Sequence, residues 1–157
     1  MRLGDRRKRA VLETVRSILE HKGGEIRHIA PDATVFEAIA AMARWGIGAL
    51  LVVADGRLLG ILTERDYARK VILQGRSSHD TRASEIMTPS PITVTLDFTV
   101  DDCMRIMTNH RVRHLPVVED GALKGIVSIG DLVNAIISAQ AYTIDQLHTY
   151  IRAGYPS

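Results

Sequence analysis

The chain has 157 residues, 46% hydrophobic and 24% charged, a balance that excludes a disordered polymer and fits one compact domain or two tightly packed half-size repeats. Its longest apolar runs, such as Ile47 to Ala54, fall far short of the about 20 residues a membrane-spanning helix needs, so no membrane partner is expected. The net charge of +2 owes much to Arg2, Arg6, Arg7, Lys8 and Arg9, which confines basicity to a short start that reads as a solvated tail rather than a nucleic-acid surface.

In chain order, Val11, Leu12, Val15, Ile18 and Leu19 predict an amphipathic helix before Gly23-Gly24. Ile26 to Ile29 reads as a short strand and Pro31-Asp32 as a turn. Thr34-Val35-Phe36-Glu37 is a capping box, opening a helix whose apolar face is Val35, Ala38, Ile39 and Met42 and which stops before Gly46. Ala49 to Val53 is too short and too β-branched for a helix. With the turn Ala54-Asp55-Gly56 and the run Leu58 to Leu62 it predicts a β-hairpin. Thr63-Glu64-Arg65-Asp66 then begins a second helix, running to about Gln74 and ended by Gly75. Arg76 to Pro91 reads as the linker. A second copy of the pattern extends from Ile92 to about Ala139, with helix starts at Thr99 and Ser128. A last capping box, Thr143 to Gln146, predicts a C-terminal helix carrying Ile144, Leu147 and Ile151.

The two copies are an ungapped duplication. Val52-Val53-Ala54-Asp55-Gly56 returns as Val117-Val118-Glu119-Asp120-Gly121, and Leu58, Gly60 and Ile61 return as Leu123, Gly125 and Ile126, always 65 residues later. The same shift pairs Asp32 with Asp97, Thr34 with Thr99, Met42 with Met107 and Asp66 with Asp131. The expected fold class is α/β (α+β): two βαββα repeats related by a pseudo-twofold, with additional N- and C-terminal helices. Expected boundaries are 1–24 for the basic start and first helix, 25–82 and 83–141 for the repeats, and 142–157 for the last helix.

Chemistry concentrates at two strand-to-helix junctions, Gly60-Ile61-Leu62-Thr63-Glu64-Arg65-Asp66 and Gly125-Ile126-Val127-Ser128-Ile129-Gly130-Asp131. Each sets a hydroxyl and a carboxylate three residues apart. That spacing caps a helix without any ligand, contributing about 1 kcal/mol, and it also presents N–H groups suited to an anion and a carboxylate able to accept both hydroxyls of a ribose. Either use alone explains one junction. Two copies facing a shared cleft favour the ligand.

Both junctions match the pattern Gly, apolar, any residue, Ser or Thr, two residues, then Asp or Asn, and the chain here resembles tandem cystathionine-β-synthase (CBS) domain proteins over about Glu25 to Ala139. Thr63-Glu64-Arg65-Asp66-Tyr67-Ala68-Arg69-Lys70, Glu85-Ile86-Met87-Thr88 and Arg113-His114-Leu115-Pro116 are similar to the stand-alone bacterial two-CBS type. The resemblance implies an adenosine-containing ligand in the cleft between repeats, with AMP expected ahead of ATP, ADP, NAD(H) or S-adenosylmethionine. It places Thr63, Asp66, Ser128 and Asp131 on ribose, and Arg65, Arg113 and His114 on phosphate. It places Ile29, Ala30, Gly48, Ala49 and Leu50 around one base, and Val94, Thr95, His114 and Leu115 around the other. Because Arg65 has Gly130 as its counterpart and Arg113 has Gly48, the two sites are expected to differ in charge.

The resemblance thus implies a non-catalytic, energy- or redox-sensing regulatory module. It is expected to be a homodimer through the helices of its repeats and to act by ligand-dependent conformational change on a protein partner in trans. The alternative is a structural or adaptor protein with an empty cleft; a DNA-associated or hydrolytic role is weaker. Cys103, the only cysteine, rules out an intrachain disulfide and reads as an inert buried thiol in a cytoplasmic protein. An Arg-rich organelle presequence is interrupted by Asp5. His110 and His114 straddle a helix end and a strand, so no metal site is expected from them.

Overall fold

The computed structural model describes residues 13–152, apart from the side chains of residues 142, 143 and 150. The basic cluster Arg2 to Arg9, with Val11 and Leu12 of the first apolar stripe, lies outside the described residues. The first helix, α1, is Val15–Lys22, capped by Thr14, whose hydroxyl accepts from the Ser17 N–H. After β1 (His28–Ile29), Thr34 and Glu37 form the expected reciprocal capping box on α2 (Val35–Trp45), which ends on Gly46 in the left-handed conformation. Strands β2 (Ala49–Ala54) and β3 (Arg57–Thr63) form the hairpin. Its turn residues Asp55 and Gly56 both have positive φ, the requirement of a type I′ turn. The second helix of this repeat is a short α3 (Glu64–Tyr67) that widens into a π-helical turn over Ala68–Ile72.

The expected linker is partly folded. It contains α4 (Ala83–Ile86) and β4 (Thr88–Pro89), and β4 pairs with β3 to complete a sheet in the order β1-β2-β3-β4. The two prolines that argue against helix in this segment are compatible with an edge strand, where Pro89 needs no N–H partner. This pairing gives Gly60 its role. A Cβ there would lie 2.6 Å from the Met87 sulfur and 2.7 Å from the Thr88 carbonyl oxygen, so only glycine lets β4 approach.

The second half repeats these devices. Thr99 and Asp102 box the start of α5 (Val100–His110), and Arg111 takes the left-handed cap position that Gly46 holds 65 residues earlier. The strands β5 (His114–Glu119) and β6 (Ala122–Ser128) form a two-stranded sheet with Asp120 and Gly121 at positive φ. Val94 bridges Val117 in parallel, the counterpart of Ile29 beside Val52. One expectation fails. Residues 140–143 bring no break, and α6 runs without interruption from Ile129 to Arg152, so Thr143 lies inside a helix and not at its start. Only local capping chemistry was legible there, and no helix-stopping Gly or Pro stands before it to give that chemistry an end to cap.

The chain divides into two compact units, one holding α1, Val94–Val117 and the chain from Ile126, the other Gly24–Thr93 and Val118–Gly125. The first packs Val15 and Ile18 of α1 with Val100, Cys103, Met107, Leu115, Val127 and Leu132. The second packs Ala83 and Ile86 of α4 with Val35, Met42, Leu50, Leu62 and Val71. The segments carrying α1 and α4 are equivalent. The Val15 and Arg16 N–H groups donate to the Phe98 and Leu96 carbonyls, as the Ala83 and Ser84 N–H groups donate to those of Ala33 and Pro31. Each repeat is therefore completed by a short helix outside its expected bounds: α1, which precedes the first repeat, packs in the second, and α4, at the start of the expected second repeat, packs in the first. No helix among the described residues is long and apolar enough to cross a membrane.

Candidate ligand site

At the first junction Thr63 caps α3, its hydroxyl accepting from the Asp66 N–H at 3.1 Å. The Asp66 carboxylate reaches back, with Oδ2 accepting from the Thr63 N–H at 3.0 Å and from the Thr63 hydroxyl at 3.1 Å. Oδ1 is paired with the Lys70 ammonium at 3.1 Å, one helical turn on, and that ammonium also donates to the Ile86 carbonyl at 2.9 Å. The Glu64 N–H donates to the Gly48 carbonyl, which fixes the junction against the start of β2.

The second junction keeps the same frame with different charge. The Asp131 N–H donates to the Ser128 hydroxyl at 3.1 Å and the Ser128 N–H donates to Asp131 Oδ2 at 2.9 Å. The Ile129 N–H donates to the Arg113 carbonyl, the counterpart of the Glu64 and Gly48 bond. Here the ammonium comes from elsewhere in the chain. Lys22, at the end of α1, donates to Asp131 Oδ2 at 2.9 Å and to the Ile126 carbonyl at 3.1 Å. Burial pushes the Asp131 carboxyl upward, but the Lys22 ammonium and the Ser128 N–H outweigh it and hold the group below the usual carboxylate value. His114 is half-buried beside this cluster. Burial is the main cause that holds its imidazole below its ordinary pKa; Lys22 and Arg113 act in the same direction and Asp131 opposes them.

Both acids are sheltered, with side chains only 13% exposed for Asp66 and 19% for Asp131. Arg65 and Arg113 are exposed, as are Ala30 and Thr95, while Ile29 and Gly48 are half-buried. The side chains of Leu50, Val94 and Leu115 lie in the cores and Ala49 is buried, so around any base Leu50, Val94 and Leu115 present backbone. The first unit brings together Ser128, Asp131, Arg113 and His114. The second brings Thr63 and Asp66 to Gly48. Sequence reasoning missed Lys22 and Lys70. Lys70 follows Asp66 at the i, i+4 spacing of a helical ion pair and was findable, whereas nothing local marks Lys22, 109 residues from its partner.

Cys103 is buried and unpaired, and burial, with Asp102 adding, raises its thiol to about 11. Among the described residues no three His, Cys, Asp or Glu side chains gather as a metal set.

A duplicated strand-hairpin-helix unit with a hydroxyl and an acid at each junction defines a tandem-repeat module. The CBS domain model matches residues 14–72 and 83–138, and the chain belongs to the CBS domain family. The mitochondrial CBS domain-containing protein CBSX3 of Arabidopsis thaliana is 41% identical over 151 residues, 90% of this chain and 73% of its own. A candidate signal-transduction protein with CBS domains from Burkholderia ambifaria is 50% identical over 80% of this chain and 94% of its own, with a TM-score of 0.77. A hexameric CBS-CP12 protein from bloom-forming cyanobacteria is 26% identical, covering 78% of this chain and 67% of its own, with a TM-score of 0.70. Proteins of this family are in general regulatory or signal-transduction modules.

Proposed function

We propose that the protein is a non-catalytic sensor that binds an adenine nucleotide, AMP first, and acts through a ligand-dependent change of conformation on a protein partner in trans. The observation carrying this reading is the pair of equivalent carboxylates, Asp66 and Asp131, each held by a capping hydroxyl residue, each sheltered, and each still partly solvent-facing. A carboxylate has about four acceptor positions, and neither acid has all of them occupied within the described residues, so ribose hydroxyls find acceptors at both. Thr63 and Ser128 flank the sugar. Arg65 serves phosphate at one site; Arg113, His114 and Lys22 serve it at the other, where two of the three Lys22 donors are engaged and one remains. Ile29, Ala30, Gly48, Ala49 and Leu50 would border one base, and Val94, Thr95 and Leu115 the other.

Ligand that binds only the folded state raises the melting temperature with concentration. Titration with AMP, ATP, ADP, NAD(H) and S-adenosylmethionine is expected to give such a shift, AMP at the lowest concentration, and Asp66→Ala and Asp131→Ala each to remove the part due to one site. If both variants respond as the parent does, the site assignment is wrong. If nothing shifts the parent, the adaptor reading replaces it, a reading favoured by the fact that each acid already holds a lysine and needs no ligand for its charge. Unchanged nucleotide after long incubation is expected, and hydrolysis would overturn the non-catalytic assignment.

A further inference from the structure

Each junction acid holds an ammonium, and the two ammonium groups are not copies of one another. Lys70 stands one turn after Asp66, but 65 residues later the chain has Ala135, and the ammonium on Asp131 comes from Lys22. What the two halves share is the connection. Lys70 joins Asp66 to the Ile86 carbonyl at the end of α4, and Lys22, at the end of α1, joins that helix to Asp131 and to the Ile126 carbonyl of β6. α1 and α4 are the equivalent helices that complete the two repeats. A tie between the acid and the end of the completing helix is thus built twice, with the lysine on the acid's helix in one half and on the completing helix in the other. An ammonium needed only to balance a carboxylate has no reason to involve that helix both times.

We infer that α1 is the element that reports an occupied second junction: the phosphate of a nucleotide takes the third Lys22 donor and fixes the last turn of α1, whereas a nucleoside without phosphate leaves that turn as it was. This rests on the adenine-nucleotide reading above and adds to it which part of the chain answers to the phosphate. The two ends of α1 are held differently. Its first turn is anchored by backbone, through the Val15 and Arg16 N–H groups on the Phe98 and Leu96 carbonyls, and by the buried Val15 and Ile18 side chains. Glu20, His21 and Lys22 are exposed, and the Lys22 side chain ties that last turn to β6 and α6. With its side chain 40% exposed, Lys22 is within reach of a ligand from solvent, and its bond to a phosphate would be charge-assisted, about twice as strong as a neutral one. Gly23 and Gly24, both at positive φ, follow directly, and the chain passes from one compact unit to the other between them. The turn that phosphate fixes is therefore the one from which the chain leaves its unit.

Amide-resolved hydrogen exchange on the full chain, without ligand, with AMP and with adenosine, tests this, ligand concentrations being set by the melting shift. AMP should slow exchange of the amides of residues 19–23 by at least about threefold and leave those of Val15 and Arg16 unchanged, and adenosine should slow neither. Lys22→Met, given enough AMP to match the parent's melting shift, should lose the slowing, and Lys22→Arg should keep it. A residue with only a structural role would not separate AMP from adenosine. Equal slowing by adenosine overturns the inference, and that comparison needs no variant. Slowing in Lys22→Met equal to the parent's also overturns it. A melting shift in the parent with no change at residues 19–23 overturns it and leaves the sensor reading standing, whereas no melting shift with any nucleotide overturns both.

Discussion

His114 gives the molecule a pH-dependent element in the range where imidazole titrates. The unfolded side chain takes up its proton near pH 6.5, and the folded one resists until a lower pH because burial and the nearby Lys22 disfavour the cation. Between those values the unfolded state binds more protons, so stability falls as pH drops from above 6.5 toward the folded pKa and then levels. His114→Gln should flatten that slope in chemical denaturation followed from pH 7.5 to 5. Asp131 behaves oppositely in range. Its folded pKa is below 3.8, so the stability of its ion pair is present above that value and is lost only as pH falls through the folded pKa. If Lys22 serves phosphate as proposed, Lys22→Met should weaken AMP about tenfold in calorimetric titration and adenosine less. Cys103, with its thiol near 11 and no exposed surface, should react with a thiol reagent only on unfolding.

Among the elements, both α2 and α5 end in a left-handed residue, but one uses Gly46 and the other Arg111. A side chain in that conformation costs about 1 kcal/mol, part of which glycine gives back through its freer unfolded chain, so Arg111→Gly should stabilise by about 0.5 kcal/mol in urea denaturation. Gly60→Ala should do the reverse by about 1–3 kcal/mol, since the contact on the far side is backbone of β4 and cannot turn away. The hairpins, the capping boxes at Thr34 and Thr99 and the two hydroxyl-acid junctions were legible because each is decided within a few neighbouring residues. The π-helical turn after Tyr67, the edge strand at Thr88–Pro89 and the continuity of α6 were not, since they depend on what the chain packs against. The candidate ligand residues divide the same way. Thr63, Asp66, Ser128 and Asp131 announce themselves by spacing, and Lys22 does not.

At the scale of the whole chain, the two short helices α1 and α4 exchange loyalties. The duplication was readable as a 65-residue shift, yet its leading segments were read as a flanking helix and a linker because their partners lie far along the sequence. Ile18→Ala and Ile86→Ala, which act in different cores, should each cost about 2–4 kcal/mol and add nearly independently. This arrangement has a consequence for synthesis. Val15 and Ile18 leave the ribosome long before the surface they cover is complete, since Leu132 follows more than a hundred residues later. The nascent chain must carry that apolar strip uncovered while the other core closes around Ile86. This segment is thereby made well before it can find its place, and a translating ribosome should expose it to chaperones while the residues up to Leu132 are synthesised.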